Sequence, residues 1–138
     1  MSIEIVKKEK LNGEQTSHLR DRTAADEHRA DGPCKNWEPE SLTPFIFVVV
    51  LKETNKPIGI LYRGGPKEAT SVSWWLDQKF RGCGIGNEMV DLFANILKKE
   101  GVTGILPLTI ESYRGQRNIA SEKLAMRLRA HFGNTHLC

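Results

Sequence analysis

The segment from Trp74 to Glu88 holds the residues of this chain whose types and spacing can do chemistry. Trp74, Trp75 and Leu76 end an apolar strand. Arg81, Gly82, Cys83, Gly84, Ile85, Gly86 and Asn87 then make a basic turn punctuated by glycine, and the turn opens an amphipathic helix. Backbone N–H groups in such a turn converge on one hollow, and the helix adds the positive end of its dipole. The chemistry this suits is the binding of a pyrophosphate, with Arg81 adding a fixed charge. Glycine lets the backbone approach the anion with no Cβ in the way. Cys83 lies in the turn with no histidine beside it, which marks it as a small loop residue rather than a nucleophile.

Three patterns place a glycine turn before a helix. A Walker loop requires G-x-x-x-x-G-K-[ST], an order found nowhere in the chain. A dinucleotide fingerprint requires G-x-G-x-x-G after the first strand, with an acid about 20 residues further on. Gly82, Gly84 and Gly86 do not fit that spacing, and they lie past mid-chain. The third pattern, R-x-x-G-x-G, is met at every position by Arg81 through Gly86. It resembles the acyl-CoA-binding motif of the GNAT N-acyltransferase superfamily. The Trp-Leu strand end, Phe80-Arg81-Gly82 and the following Glu88 look most like the branch that acetylates ribosomal proteins and small amines. The resemblance centres on residues 68–100 and extends through 132, while the first 45 residues carry none of it.

The resemblance implies acetyl-CoA as cosubstrate and a primary amine, of a small molecule or a protein, as acceptor. It places the pantetheine arm along an open strand edge, with backbone groups of Trp74, Trp75 and Leu76 as partners; simple core packing is the competing role for the two tryptophans. Asn118 and Ser121 match the family's N-x-x-S element, where the Asn contacts the arm; an ordinary helix N-cap is the alternative. Lys123 and Arg127 lie on the same helix, within reach of nucleotide phosphates or on a solvated face. Deprotonating a lysine-type amine at neutral pH costs on the order of 5 kcal/mol, so a carboxylate acting directly or through water is expected. Glu111 is the candidate base, set against a surface glutamate at a strand end, and Glu68 is a weaker one. Family members often protonate the departing thiolate with a Tyr on the last helix. Ala125 stands there in this chain, leaving Tyr113 or His131 as substitutes. A backbone N–H near Leu76 would stabilise the oxyanion.

Composition bounds the reading. At 138 residues the chain is expected to be a single GNAT-like domain over 1–138. Its longest apolar run, Phe45 to Leu51, is strand-sized and far short of the ~20 residues that span a bilayer. The start, Ile3 to Val6 followed by lysines, is the reverse of a signal peptide. Cys34, Cys83 and Cys138 are odd in number and scattered, so free thiols in a reducing cytoplasm and no metal site are expected. The net charge of +3 suits an anionic cosubstrate and falls short of a nucleic-acid binder's basic stripe.

The periodicities predict strand Ile3–Lys7, a mostly polar helix Gln15–Arg29 anchored by Leu19, Ala24 and Ala25, and a loop or single turn over 34–44. Strands follow at Phe45–Leu51, Ile58–Tyr62 and Ala69–Leu76. A helix over Asn87–Glu100, a fifth strand Val102–Ile110 and a last helix Asn118–Phe132, with Ala120, Leu124 and Leu128 four apart, complete the order. The fold class expected is α/β (α+β), a mixed, mostly antiparallel sheet with flanking helices. The GNAT fold normally adds two strands after the last helix. Only Asn134 to Cys138 follow here, so that hairpin is expected to be missing or reduced. Its loss would bare the edge Val102–Ile110, with Val102, Ile105, Leu106, Leu108 and Ile110 exposed, and a homodimer through that edge is expected. Two functions follow: an active N-acetyltransferase, or an inactive CoA-binding module that acts through protein interaction.

Overall fold

The apolar run Ile46–Leu51 forms a strand, β2, in which every residue is buried. Successive side chains of a strand point to opposite faces. Ile46, Val48 and Val50 accordingly enter one apolar cluster and Phe47, Val49 and Leu51 another. A strand with two dry faces sits in the middle of its sheet and needs cover on both sides. A computed structural model describes residues 2–25, 46–106 and 119–133. Within them β1 (Ile3–Lys7), β2, β3 (Lys56–Gly64) and β4 (Ser71–Leu76) form an antiparallel sheet in that order. The register of β2 on β3 shifts between Val49 and Val50, where Pro57 lies. Proline is tolerated at such a bulge because no ladder hydrogen bond is asked of it. The shift sends Ile58 and Ile60, which would otherwise share a face, to opposite clusters.

One face is covered by α1 (Gly13–Ala25), the other by α2 (Ile85–Lys99) and α3 (Ile119–Ala130). Asn12 caps α1 reciprocally: its Oδ1 accepts from the Gln15 amide at 2.8 Å, and its own N–H donates to Gln15 Oε1 at 3.0 Å. Leu19 is buried as expected, together with Thr23, whereas Ala24 and Ala25 are exposed and anchor nothing. The helix is held by one turn of contact and by the ion pair described below. Helix α2 is the opposite case, with Ile85, Met89, Val90, Phe93, Ala94 and Leu97 all buried. It starts at Ile85 rather than Asn87. It ends on Gly101 (φ 88), where the Gly101 N–H bonds Lys98 O at 3.0 Å and the Val102 N–H bonds Leu97 O at 3.0 Å, closing the last turn.

The expected fifth strand is described only as far as Leu106. Up to that point it makes a single parallel bridge, Thr70 to Ile105, with the Thr70 N–H on Gly104 O and the Leu106 N–H on Thr70 O, both at 2.9 Å. Val102 and Ile105 are buried in the main cluster, so the expected exposure of these two is corrected; Leu106 is 37% exposed. They fold under the sheet because the turn at Gly101 returns the chain against Leu97. Leu108 and Ile110 lie outside the described residues, as do the 34–44 loop and the stub 134–138. The last helix buries Ala125 and Leu128 and partly buries Leu124, while Ala120 is exposed.

Besides sharing the main core, α2 and α3 meet at a glycine and at an ion-pair cluster. A Cβ on Gly86 would lie 3.2 Å from the Leu124 side chain, so glycine sets the approach of the helices. Asp91 receives a fork from Arg127 (Nε to Oδ1 2.9 Å, Nη2 to Oδ2 2.7 Å), and His131 Nε2 lies 2.7 Å from Asp91 Oδ1. The Arg127 hydrogen bonds, then that of His131, lower the Asp91 carboxyl from 3.8 to about 2. A depressed carboxylate pKa gives stability that is present above pH 3.8 and lost as pH falls toward 2. Asp91 is 35% exposed, so solvent screening holds the contribution to about 1 kcal/mol or less. The melting temperature should fall between about pH 4 and pH 2. An Asp91→Asn variant should start lower at neutral pH and fall less steeply in that window, as followed by circular dichroism.

Candidate active site

Strand β4 determines what the site can bind. The Asp77 N–H donates to Ile58 O at 2.7 Å, which sets the alternation of the antiparallel ladder. Trp75, opposite Ile60, turns its backbone groups toward β3. Thr70, Val72, Trp74 and Leu76 turn theirs to the other edge, where Thr70 meets the segment at Ile105. Of the three residues expected to meet the pantetheine arm, Trp74 therefore presents N–H and C=O outward and Leu76 its N–H, its carbonyl being taken by Arg81 Nε at 2.9 Å. Trp75 directs its N–H and C=O into the ladder with β3. Its indole lies on the α1 face with Leu19, whereas Trp74 packs partly buried on the α2 face.

After Leu76 the chain makes a short 3-10 turn, Gln78–Phe80, capped by Asp77 Oδ1, which accepts from the Lys79 amide at 3.1 Å. Asp77 is 1% exposed. Its carboxylate also takes a bidentate pair from Arg22 of α1, Nε to Oδ2 at 2.7 Å and Nη2 to Oδ1 at 2.8 Å. Burial pushes the Asp77 carboxyl up, but Arg22 and the Lys79 amide outweigh it and hold it below its ordinary value. His18, one turn before Arg22, is held below the ordinary histidine value by burial first and by Lys56 second. This cluster was not read from the sequence. An Asp beside a turn is a capping signal, but nothing local pairs it with an arginine 55 residues away.

The glycine turn comes next. Gly82 (φ 78) and Gly84 (φ 86) hold left-handed backbone that a side chain rarely adopts, and a Cβ on either would enter open space. Gly84 is the N-cap of α2 and supplies no side-chain cap, so the first N–H groups of the helix face outward uncapped. Ile85 is buried and anchors the helix start, while Asn87 and Glu88 are exposed in its first turn. Gly86 lies in the first turn of α2 against Leu124, where a Cβ would come within 3.2 Å of that side chain. Cys83 is exposed, its Sγ donating to Phe80 O at 2.9 Å. Arg81 Nε donates to Leu76 O at 2.9 Å, back at the strand end.

Glu111, Tyr113 and Asn118 lie outside the described residues. Glu68 is exposed. Arg127 and His131, considered for phosphate and for the thiolate, are both committed to Asp91; Lys123 is exposed. Among the described residues no helix is long and apolar enough to cross a membrane, and no cluster of three metal-ligating side chains occurs.

An acetyl-CoA pyrophosphate fits what these residues offer: open space over two left-handed glycines, uncapped helix N–H groups, and an outward strand edge leading to them. The family model for the acetyltransferase (GNAT) domain matches residues 6–131. The chain belongs to the GNAT acetyltransferase family. By family it is an acetyl-CoA-dependent N-acetyltransferase. No curated protein sequence matches it. Among solved structures, ribosomal-protein-S5-alanine acetyltransferase from Vibrio fischeri superposes with a TM-score of 0.63 at 22% identity, over 91% of this chain and 76% of that one. A GNAT-family acetyltransferase from Bacillus anthracis gives 0.66 at 13% identity, over 90% and 79%. An aminoglycoside acetyltransferase in complex with coenzyme A gives 0.64 at 14% identity, over 92% and 83%. At such identities the likeness is one of fold, and it agrees with the mixed α/β architecture expected.

Gly84→Asp should place a carboxylate in the hollow and weaken acetyl-CoA at least ~10-fold, about 1.4 kcal/mol. Calorimetry on the folded variant checks this. Unchanged affinity would move the pyrophosphate elsewhere.

Proposed function

We propose that this chain transfers the acetyl group of acetyl-CoA to a primary amine, of a small molecule or of a protein, by direct attack. The observation that carries the reading is the continuity of the outward edge of β4 with the uncapped start of α2. An extended, amide-containing arm can bond along the edge while its pyrophosphate takes the helix N–H groups. The amine nitrogen attacks the thioester carbonyl carbon, the C–S bond breaks, and the thiol leaves. The Leu76 N–H faces the same edge and is the donor proposed for the carbonyl oxygen as it gains charge. The face of β4 toward α2 and α3 is filled by the main core. The amine therefore comes from the α1 side, where Ser73 and Tyr62 are partly buried opposite each other.

Glu111 is the carboxylate proposed to take the amine proton, and Tyr113 the weaker choice for returning one to the sulfur. Neither has a described position. Asn118 is proposed to contact the arm at the start of α3. A thiol is a good leaving group, so Ala125 in place of the family's tyrosine is compatible with turnover. That same alanine favours a second reading, a module that binds CoA and acts through protein contact.

Release of CoA across a panel of small amines and peptide N-termini separates the two readings, since binding without release belongs to the second. In the first, Glu111→Gln should lower kcat by about 10²–10⁴ and leave acetyl-CoA affinity unchanged. A variant with parental kcat and pH profile would dismiss Glu111 as the base.

A further inference from the structure

The stretch between the end of β4 and the glycine turn is only five residues long, 77–81, and its backbone is held at each step. The Asp77 N–H is on Ile58 O, the Lys79 N–H on Asp77 Oδ1, the Phe80 N–H on Asp77 O at 2.9 Å, and the Arg81 side chain on Leu76 O. Three of these bonds run through Asp77. Its carboxylate is almost fully buried, with its side chain 2% exposed, and its strong partner is the guanidinium of Arg22, at the C-terminal end of α1 on the far face of the sheet. A buried carboxylate that loses its cation must take up a proton, draw in water or shift. Each of these disturbs the oxygen that caps the 3-10 turn.

We infer that Arg22 is a positioning residue for acetyl-CoA: through Asp77 it sets the path by which β4 delivers Gly82 and Gly84 to the pyrophosphate. The inference rests on the acetyl-CoA reading of the glycine turn. It links the two sides of the reaction. Arg22 belongs to the helix that covers the face from which the amine approaches, yet its fork ends at the root of the cosubstrate turn. Arg22 touches no reacting atom in this scheme. The guanidinium is suited to the task because its planar fork fits both carboxylate oxygens at once, a geometry that lysine cannot supply. Asp77 is needed in turn because Oδ1 serves both Arg22 Nη2 and the Lys79 amide.

The test is calorimetric titration of the full chain with acetyl-CoA, alongside its melting temperature. Arg22→Met should weaken acetyl-CoA by about 10-fold or more. Arg22→Lys, which keeps the charge without the fork, should fall between it and the parent, and it serves if the methionine variant does not fold. Adding Asp77→Asn to Arg22→Met removes the unpaired charge and keeps an oxygen for the Lys79 amide, so part of the affinity should return. Arg63→Met is the control for general destabilisation. Its guanidinium, 7% exposed, pairs with Glu100 at 2.6 Å at the far end of α2. It should lower the melting temperature and leave affinity within about twofold. A parent that binds acetyl-CoA and an Arg22→Met or Arg22→Lys variant that binds it equally would overturn the inference alone. Equal loss of affinity in Arg63→Met would also overturn it. A parent that binds no acetyl-CoA would overturn the reading of the turn, and the inference with it.

Discussion

Strand β4 has to satisfy two demands that conflict. Its side chains are packed on both faces, Trp75 against α1 and Trp74 and Leu76 against the α2 side. Its backbone pairs with β3 on one edge, while beyond Thr70 the other edge turns the polar groups of Val72 and Trp74 and the N–H of Leu76 outward. Unsatisfied main-chain groups are expensive in a dry setting, so an edge of this kind must find a partner in protein, water or ligand. The rest of the structure follows from holding that edge still. β2 and β3 form a core dry on both faces, α1 and the α2–α3 pair clamp the two sides, and Asp77 stops the strand at a defined residue.

The glycine turn works because its conformation is settled by neighbours rather than by its own side chains. Gly82 and Gly84 contribute only backbone, and among the described residues no atom lies within 4 Å of where their Cβ atoms would be. Rigidity comes from below: Ile85 enters the core, Gly86 meets Leu124, and α2 is buried along one whole face. Fixed N–H groups bind an anion better than mobile ones, since little freedom is lost on binding. The dipole of a well-packed helix adds to this at the same point.

The cations near the site illustrate the limits of reading charge from residue type. Arg81 and Arg127 both suit phosphate by composition. Arg81 bonds a carbonyl at the strand end, and Arg127 ties α3 to Asp91 on α2. Arg22, in an N-terminal segment whose residues showed no resemblance by themselves but which the family model covers from residue 6, is the arginine that grips the root of the turn. Each of these cations acts first on the protein's own frame. What remains to attract the pyrophosphate is largely the backbone, whose geometry those cations maintain.

The strand-turn-helix at 71–99 was legible in the sequence because its signals are local. An apolar run, glycines at a strand exit and apolar residues at helical spacing each constrain their own neighbourhood, and together they placed the candidate site and the fold class. Boundaries moved by one or two residues where caps decide them, as at Ile85 and Gly101. The chain order alone did not settle which way the backbone groups of β4 face, because that depends on its pairing with β3, including the bond from Asp77 to Ile58. Nor did it show that Val102 and Ile105 turn inward, that Gly86 lies against Leu124, or that Ala24 and Ala25 stay at the surface. Those outcomes, and the Arg22–Asp77 pair above all, depend on contacts between residues far apart in the chain. Local propensity carries no information about them; only the packed arrangement of α1 across the sheet brings the guanidinium to the carboxylate.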